Sequence, residues 1–437
     1  MVTEATEVKA VKPTTNRRRE MFRSLSHRNY RLFWSGAFLS NIGTWMQAVA
    51  QGWLVLQLTD SPFWLGLDGF MALAPGLVLT LAGGVFADLV DRRRLLLYTQ
   101  VVAGAAAFGL AVLISTGVIH KAGDVWSSNV WMILMFSFVT GCCMSLAGPS
   151  YQAMTFDLVG REDLANAIAL NSTQFQLSRV IGPVFAGVGF RLFTLAGCFY
   201  ANGLSFIAVV VALAMVRFDQ PDRSTAAGKV RPVRDRRALW QELIEGFRYV
   251  RNRPRVSTLL SISAVNSLFG APYFTFVPIF ARDIFHLGAT GLAWMMGTAG
   301  AGAFFGALVL AYLGDFKRKG WSVLGGALAF GVSLIAFSLS TRLTVSLIFL
   351  FGVGFSIVTS VAVTNTLLQQ LVTDRMRGRV MSMFILSFIG SMPIGNLIAG
   401  IASHRFGAPH TLAAGGLAVV LYATFVTIRN KRLRALH

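Results

Sequence analysis

Two charged side chains stand where charge is expensive. Asp68 lies between Leu67 and Gly69 in a long apolar run, and Arg179 lies midway along another. In apolar surroundings a charge must be hydrated, paired or neutralised. A carboxyl at Asp68 could load and release a proton, which makes it a candidate coupling group; hydration near the end of its run, or a structural pairing, is the rival reading. Arg179 stays charged whatever its surroundings. It can hold an anionic group or serve as a fixed structural partner, but it cannot carry a proton. Asn41, Thr44, Gln47 and Gln51 share one arc of about 120° at the helical spacing of roughly 100° per residue. Such a stripe faces protein or water. Asn171, Gln174 and Ser178 repeat the pattern further on, and Asn266, Thr359, Thr364 and Asn365 are isolated polar positions in later apolar runs.

A charged turn, Gly84-Val85-Phe86-Ala87-Asp88 followed by Arg92-Arg93-Arg94, joins two apolar runs, and Gly314-Asp315 with Lys317-Arg318-Lys319 echoes it late in the chain. No catalytic constellation is visible. The six histidines lie near loops and chain ends without metal-ligand spacing, and no phosphate-cradling Gly-Lys-Ser/Thr loop occurs. Cys142, Cys143 and Cys198 all fall in apolar runs and suit neither a disulfide framework nor a zinc site. No cofactor, metal or enzymatic activity is expected.

The elements that position these residues follow from composition. The 437 residues are 54% hydrophobic and only 13% charged, with a mean hydropathy of +0.61. Soluble domains carry about 25% charged residues, so the bilayer is the natural solvent. At about 20 residues per crossing, twelve spans are expected: 31–55, 63–87, 95–118, 129–148, 164–189, 193–216, 257–281, 289–313, 321–340, 343–366, 379–402 and 408–428.

The net charge of +20 does not point to nucleic acid, because the basic residues sit in short loops between apolar spans. Lys121, Arg191, Arg282, Arg342 and Arg405 fall on one side, Arg179 lies within a span, and the other 33 of the 39 Lys and Arg share the side of both termini. By the positive-inside rule that side is cytoplasmic. The expected organisation is a cytoplasmic tail over 1–29, which lacks the apolar core of a cleaved signal. Bundles over 30–216 and 257–428 flank a linker at 217–256, and a cytoplasmic tail covers 429–437. Within the linker, Trp240, Leu243, Ile244, Phe247 and Val250 recur at helical spacing and suggest an amphipathic helix in the inner interface; a regulatory or partner-binding helix is the alternative.

The halves repeat. Asp88 matches Asp315 at an offset of 227, while Gly182 and Gly187 match Gly395 and Gly400 at an offset of 213. The expected fold is all-α and integral to the membrane, with twelve transmembrane helices in two pseudo-symmetric six-helix bundles. Gly182, Pro183, Gly187, Gly395 and Gly400 are candidate hinge or seam positions, as are the glycines of the eighth span, because small residues allow close sliding contacts.

The motif after the second span, with the fifth-span motif Gly182-Pro183-Val184-Phe185-Ala186-Gly187 and Asp374-Arg375-Met376-Arg377-Gly378-Arg379, resembles the major facilitator superfamily over essentially the whole chain. The Asp91-Arg92-Arg93-Arg94 form looks like the branch containing the enterobactin exporter and macrolide efflux proteins. Leu89 and Asp91 depart from the superfamily's usual basic residue and second glycine, and residues 129–150 lack the arginine that many drug–proton antiporters carry there. The resemblance implies a bacterial inner-membrane monomer that exports amphipathic small molecules, such as drugs or siderophores, with protons as coupling ion. Transport of one specific metabolite is the alternative. It also implies that Gly84, Asp88, Arg92, Arg93 and Asp315 form a conformational latch, and that Asn41, Thr44, Gln47, Gln51, Asn171, Gln174, Arg179, Asn266 and Asn365 face a central substrate cavity.

Overall fold

The computed structural model describes residues 22–89, 91–124, 128–216, 245–314, 316–430 and 434, with the backbone alone over 80–89. Long apolar runs become helices because the bilayer offers no other partner for backbone N–H and C=O groups. We label them α1 (Arg28–Thr59), α2 (Pro62–Leu89), α3 (Arg92–Ser115), α4 and α5 (130–159 and 161–192), and α6 (Leu195–Met215). The second half contributes α7 (Pro254–Ile284), α8 (Ala289–Leu313), α9 (Lys319–Leu339), α10 (Leu343–Leu371), α11 (Asp374–Phe406) and α12 (Ala408–Arg429). Among the described residues, ten segments are long and apolar enough to cross a membrane. The polar α1 falls below that hydropathy, and α4 with α5 count once, which brings the helices to twelve.

Several ends differ from the expected spans, because helices continue past the hydrocarbon boundary until a capping or breaking residue stops them. α4 and α5 turn back on each other at Gly160, whose φ of 72° and ψ of −173° suit glycine alone. Hydrogen bonds from Gln174 to Tyr151 and from Asn171 to Thr155, both at 3.2 Å, join the two arms. The helices run up to this turn, where the expected spans end at 148 and begin at 164. Asp91 caps α3 by accepting from the Arg94 N–H at 3.0 Å. Asp60 ends α1 in the left-handed region, its N–H returning to the Leu56 carbonyl.

Two helices are broken near their middles. α7 contains π-helical turns at Asn266–Gly270 and Phe280–Ile284 around a short α-helix, Tyr273–Ile279. α11 divides into Asp374–Phe388 and Ser391–Phe406. Pro393 accounts for the second break, since proline cannot donate to the carbonyl four residues earlier, at Ile389, and its ring crowds that carbonyl.

Small residues set the packing. Within the first bundle Gly182 lies against Trp45 and the Ile42 carbonyl, and Gly36 lies against Ala212. Within the second, Gly354 faces the Ala299 carbonyl and Gly395 faces the Leu268 carbonyl. Two seams join the bundles. Along α2–α11, a Cβ at Gly66 would stand 2.7 Å from the Gly400 Cα; along α5–α8, one at Gly187 would stand 3.0 Å from the Ala293 Cβ.

The cores show which way the bundles splay. Toward the face opposite the chain ends, Trp53, Leu54 and Leu65 of the first bundle share one apolar core with Phe276, Phe280 and Met295 of the second. Toward the face carrying the chain ends, the cores separate: Phe33, Leu96, Met154 and Leu213 form one, while Leu260, Leu324, Leu367 and Phe384 form another. The bundles therefore close on the far face and part on the terminal face. Residues 245–251 are helical, with Val250 inserted in the terminal-face core of the second bundle and Glu245 paired with Arg379 of α11.

Candidate substrate path and coupling network

The first bundle holds a chain of polar side chains running across four helices. Asn202 of α6 donates to the Gln47 Oε1 of α1 at 2.6 Å, and Gln47 donates to Gln51 at 3.4 Å. Gln51 Nε2 lies 2.9 and 3.1 Å from the two Asp68 carboxylate oxygens of α2 and 2.7 Å from the Ser137 hydroxyl of α4. Ser137 in turn donates to Asp68 at 2.5 Å. Asp68 is only 8% exposed, and none of the described Lys, Arg or His side chains forms an ion pair with it. An ionised carboxylate here is held by neutral donors alone, whereas a protonated one carries no charge at all. Protonation therefore changes the electrostatic cost of burying this point. Asp68 also stands beside the α2–α11 seam, because its neighbour Gly69 packs on the Asn396 side chain of α11, itself bonded to Thr275 of α7 at 3.2 Å.

Arg179 lies elsewhere, where α1, α5 and α7 meet. Its guanidinium carbon is 5.3 Å from the Trp45 ring centroid and 5.8 Å from that of Phe274, and its Nη2 is 3.5 Å from the Tyr273 hydroxyl. Trp45 makes edge contacts with Phe175 and Phe274, and Tyr273 is backed by Phe330. The backbone is fixed as well: Pro183 leaves the Arg179 carbonyl without its helical N–H, and Gly300 of α8 packs directly on that carbonyl.

The remaining polar positions distribute as follows. Asn41 and Thr44 are half-buried on α1, with the Thr44 hydroxyl lacking a partner among the described residues. Asn171 accepts from Tyr30 at 3.0 Å and donates to Thr155, and Gln174 donates to Tyr151 at 3.2 Å, so both tie α5 to neighbours within the first bundle. Asn266 reaches Ser360 of α10 at 3.4 Å, and Asn365 accepts from Gln369 one turn along α10. Arg92 pairs with Asp157 at 3.0 Å, and Arg93 donates to the Ala214 carbonyl, bracing α3 on α4 and α6. Pro183 is buried in α5. Gly84 and Asp88 lie in the helical backbone of α2; their side chains, and Asp315 altogether, lie outside the described residues.

Several participants carried no distinguishing sequence signal. Trp45, Tyr273 and Phe274 are aromatics among many, and Ser137 is one serine in an apolar run. Asn202, a lone amide in a span, was detectable. At the far face, Asp60 of the first bundle bonds Arg282 of the second at 2.6 Å and Lys121 at 2.5 Å, and Arg282 also donates to the Leu56 carbonyl. The hydrogen bond from Lys121, with Arg282 beside it, holds the Asp60 carboxyl below its ordinary value. Arg282, one of the minority-side basic residues, thus clasps the two bundles together, and Lys121 braces Asp60 from within the first.

The fold is shared with known proteins. The family model described as "Transmembrane secretion effector" matches residues 20–436. The staphyloferrin A transporter of Staphylococcus aureus is 22% identical, covering 92% of this chain and 96% of its own. Macrolide efflux protein A of Streptococcus pyogenes is 21% identical, covering 91% and 95%. The solved nucleoside transporter NupG superposes with a TM-score of 0.71 at 10% identity, covering 92% of this chain and 99% of that one. The chain belongs to the transmembrane secretion effector family of the major facilitator superfamily, whose members are membrane transporters.

Proposed function

We propose that the protein is a proton-coupled exporter of small amphipathic molecules, of the drug or siderophore kind, that works by alternating access. The terminal face is the cytoplasmic face of a bacterial inner membrane, so the splayed bundles present the inward-facing state. The relatives named above, a siderophore transporter and a macrolide efflux protein, support the cargo class. The observation that carries proton coupling is Asp68: a buried carboxyl whose partners among the described residues are all neutral donors, one residue from a seam that must change when the bundles rock.

In this reading a proton entering from outside neutralises Asp68 and loosens its grip on Gln51 and Ser137, which biases the α2–α11 seam. One charge moving through about 100 mV supplies roughly 2.3 kcal/mol, enough for a concentration ratio of about fiftyfold. Asp88 and Asp315, with Gly84, Arg92 and Arg93 around the first, would latch the cytoplasmic ends when the far face opens, and the transporter would work as a monomer. Expression in a pump-deficient bacterium, with accumulation of toxic compounds and siderophores measured with and without a proton gradient, tests the proposal. Lowered accumulation that vanishes when the gradient is dissipated supports it; unchanged accumulation of every compound, or gradient-independent export, counts against it.

A further inference from the structure

Arg179 holds a charge that nothing among the described residues neutralises. It forms no ion pair with a described carboxylate, its Nε is buried without a hydrogen-bond partner, and its contact to Tyr273 is at the outer limit of a hydrogen bond. A guanidinium offers five in-plane N–H donors, so most of its hydrogen-bonding capacity is unused. Trp45 and Phe274 meet the charge through their π-systems. Ring contact satisfies the face of the cation and leaves the N–H edge unanswered.

Location turns this vacancy into a binding feature. The surrounding residues come from both bundles: Trp45 and Phe175 from the first, Tyr273 and Phe274 from the second. Arg179 sits near the middle of α5, about 27 Å along the axis from its start at the terminal face. Phe175, one turn nearer that face, is exposed and touches Trp45, so an aromatic approach leads toward the charge from the side where the cores part. The backbone beneath Arg179 is clamped by Gly300, so the head group is presented from a fixed base.

We infer that Arg179, with Trp45, Tyr273 and Phe274, is a subsite for an anionic group, a carboxylate or phenolate, carried on an aromatic or otherwise apolar body. The anion takes the N–H edge, where charge-assisted and bidentate bonding is strong, and its apolar body takes the rings. The inference deepens the proposed function by naming a substrate class, and rests on that reading for its biological meaning. Its physical content is independent of transport.

The test follows thermal unfolding of the full chain in detergent against increasing 2-naphthoate or 2-naphthamide, which share one ring system and differ in charge. The wild-type chain should reach half-maximal stabilisation at about tenfold lower concentration of the acid. In Arg179→Gln the two compounds should become equivalent, and Arg179→Lys, which keeps charge but loses the fork, should retain a two- to threefold preference. No preference in the wild-type chain, or a preference that survives Arg179→Gln, overturns the inference. Should Arg179→Gln fail to fold, Trp45→Leu should weaken both compounds by about three- to tenfold, and unchanged midpoints for both overturn the aromatic subsite. A chain that prefers the acid through Arg179 but lowers the accumulation of no compound in cells keeps this subsite and loses the export reading. A chain that exports without preferring the acid loses only the subsite.

Discussion

The two bundles share a scaffold and divide the chemistry. At the repeat offset of 213, Gly182 and Gly187 correspond to Gly395 and Gly400, and the members of each pair play matching parts. Gly182 and Gly395 pack inside their own bundles, against α1 and α7; Gly187 and Gly400 meet the opposite bundle at Ala293 and Gly66. Ala293 and Gly66 are themselves related by the offset of 227 that links Asp88 to Asp315. Duplication has preserved the joints. The charges were treated differently: at the same offsets Asp68 corresponds to Met295, and Arg179 to Met392. Met295 is fully buried in the apolar core, where Asp68 anchors a polar network. In the proposed cycle, rocking needs matched seams on both sides, whereas a coupling group is needed only once.

That asymmetry can be broken deliberately. The largest effect should come from Asp68→Asn in the first bundle. The neutral amide leaves no titrating group, and gradient-dependent export measured in a pump-deficient host should fall to background. Next are the seams. In α2, Gly66→Val would drive a side chain into the Asn396 carbonyl and the Gly400 backbone, neither of which can yield. Overpacking of this kind costs about 1–3 kcal/mol. It should open the far face, read as increased labelling there of a single engineered cysteine at Leu58. At the other seam, Gly187→Ala meets only one side-chain methyl at 3.0 Å and should shift labelling far less. Equal effects would mean that the two seams are not used differently.

These comparisons also show what the sequence could disclose. Asp68, Arg179 and the paired glycines stand out because charge and glycine are conspicuous in apolar spans. The α1 stripe was visible, but its orientation was not: Gln47 and Gln51 direct their hydrogen bonds into the first bundle, toward Asn202, Ser137 and Asp68, residues far away in sequence. The aromatic ring around Arg179 is assembled from three helices, and no periodicity within one helix encodes it. The tightness of the turn from α4 to α5 was hidden because Glu162 and Asp163 read as loop. Asp163 instead pairs with Arg23 and His27 and pins the segment before α1 to the start of α5.

The far-face clasp should have a smaller effect. Asp60, Lys121 and Arg282 are partly exposed, and exposed ion pairs contribute at most about 1 kcal/mol. Arg282→Ala should therefore raise far-face labelling by no more than about fivefold. Its pH dependence has a definite sign. The Asp60 carboxyl titrates below its ordinary value, so the clasp is at full strength above the ordinary carboxylate range and weakens only as pH falls through the depressed value. Far-face labelling should be flat with pH near neutrality, and a steep change between pH 6 and 8 would point to a different group. Smallest of all is Met295→Leu, a volume-conserving swap at the position corresponding to Asp68. It should alter export by less than about twofold, because that position only packs.

The central claim, that one buried carboxyl in the first bundle couples the cycle to protons, has a direct test. Purified wild-type and Asp68→Asn chains are reconstituted in liposomes with a compound whose cellular accumulation the wild-type chain lowers. Each is assayed for exchange without a gradient and for accumulation driven by an imposed pH gradient. The account predicts that Asp68→Asn still exchanges compound across the membrane but no longer accumulates it. Gradient-driven accumulation by Asp68→Asn at the wild-type level would contradict it.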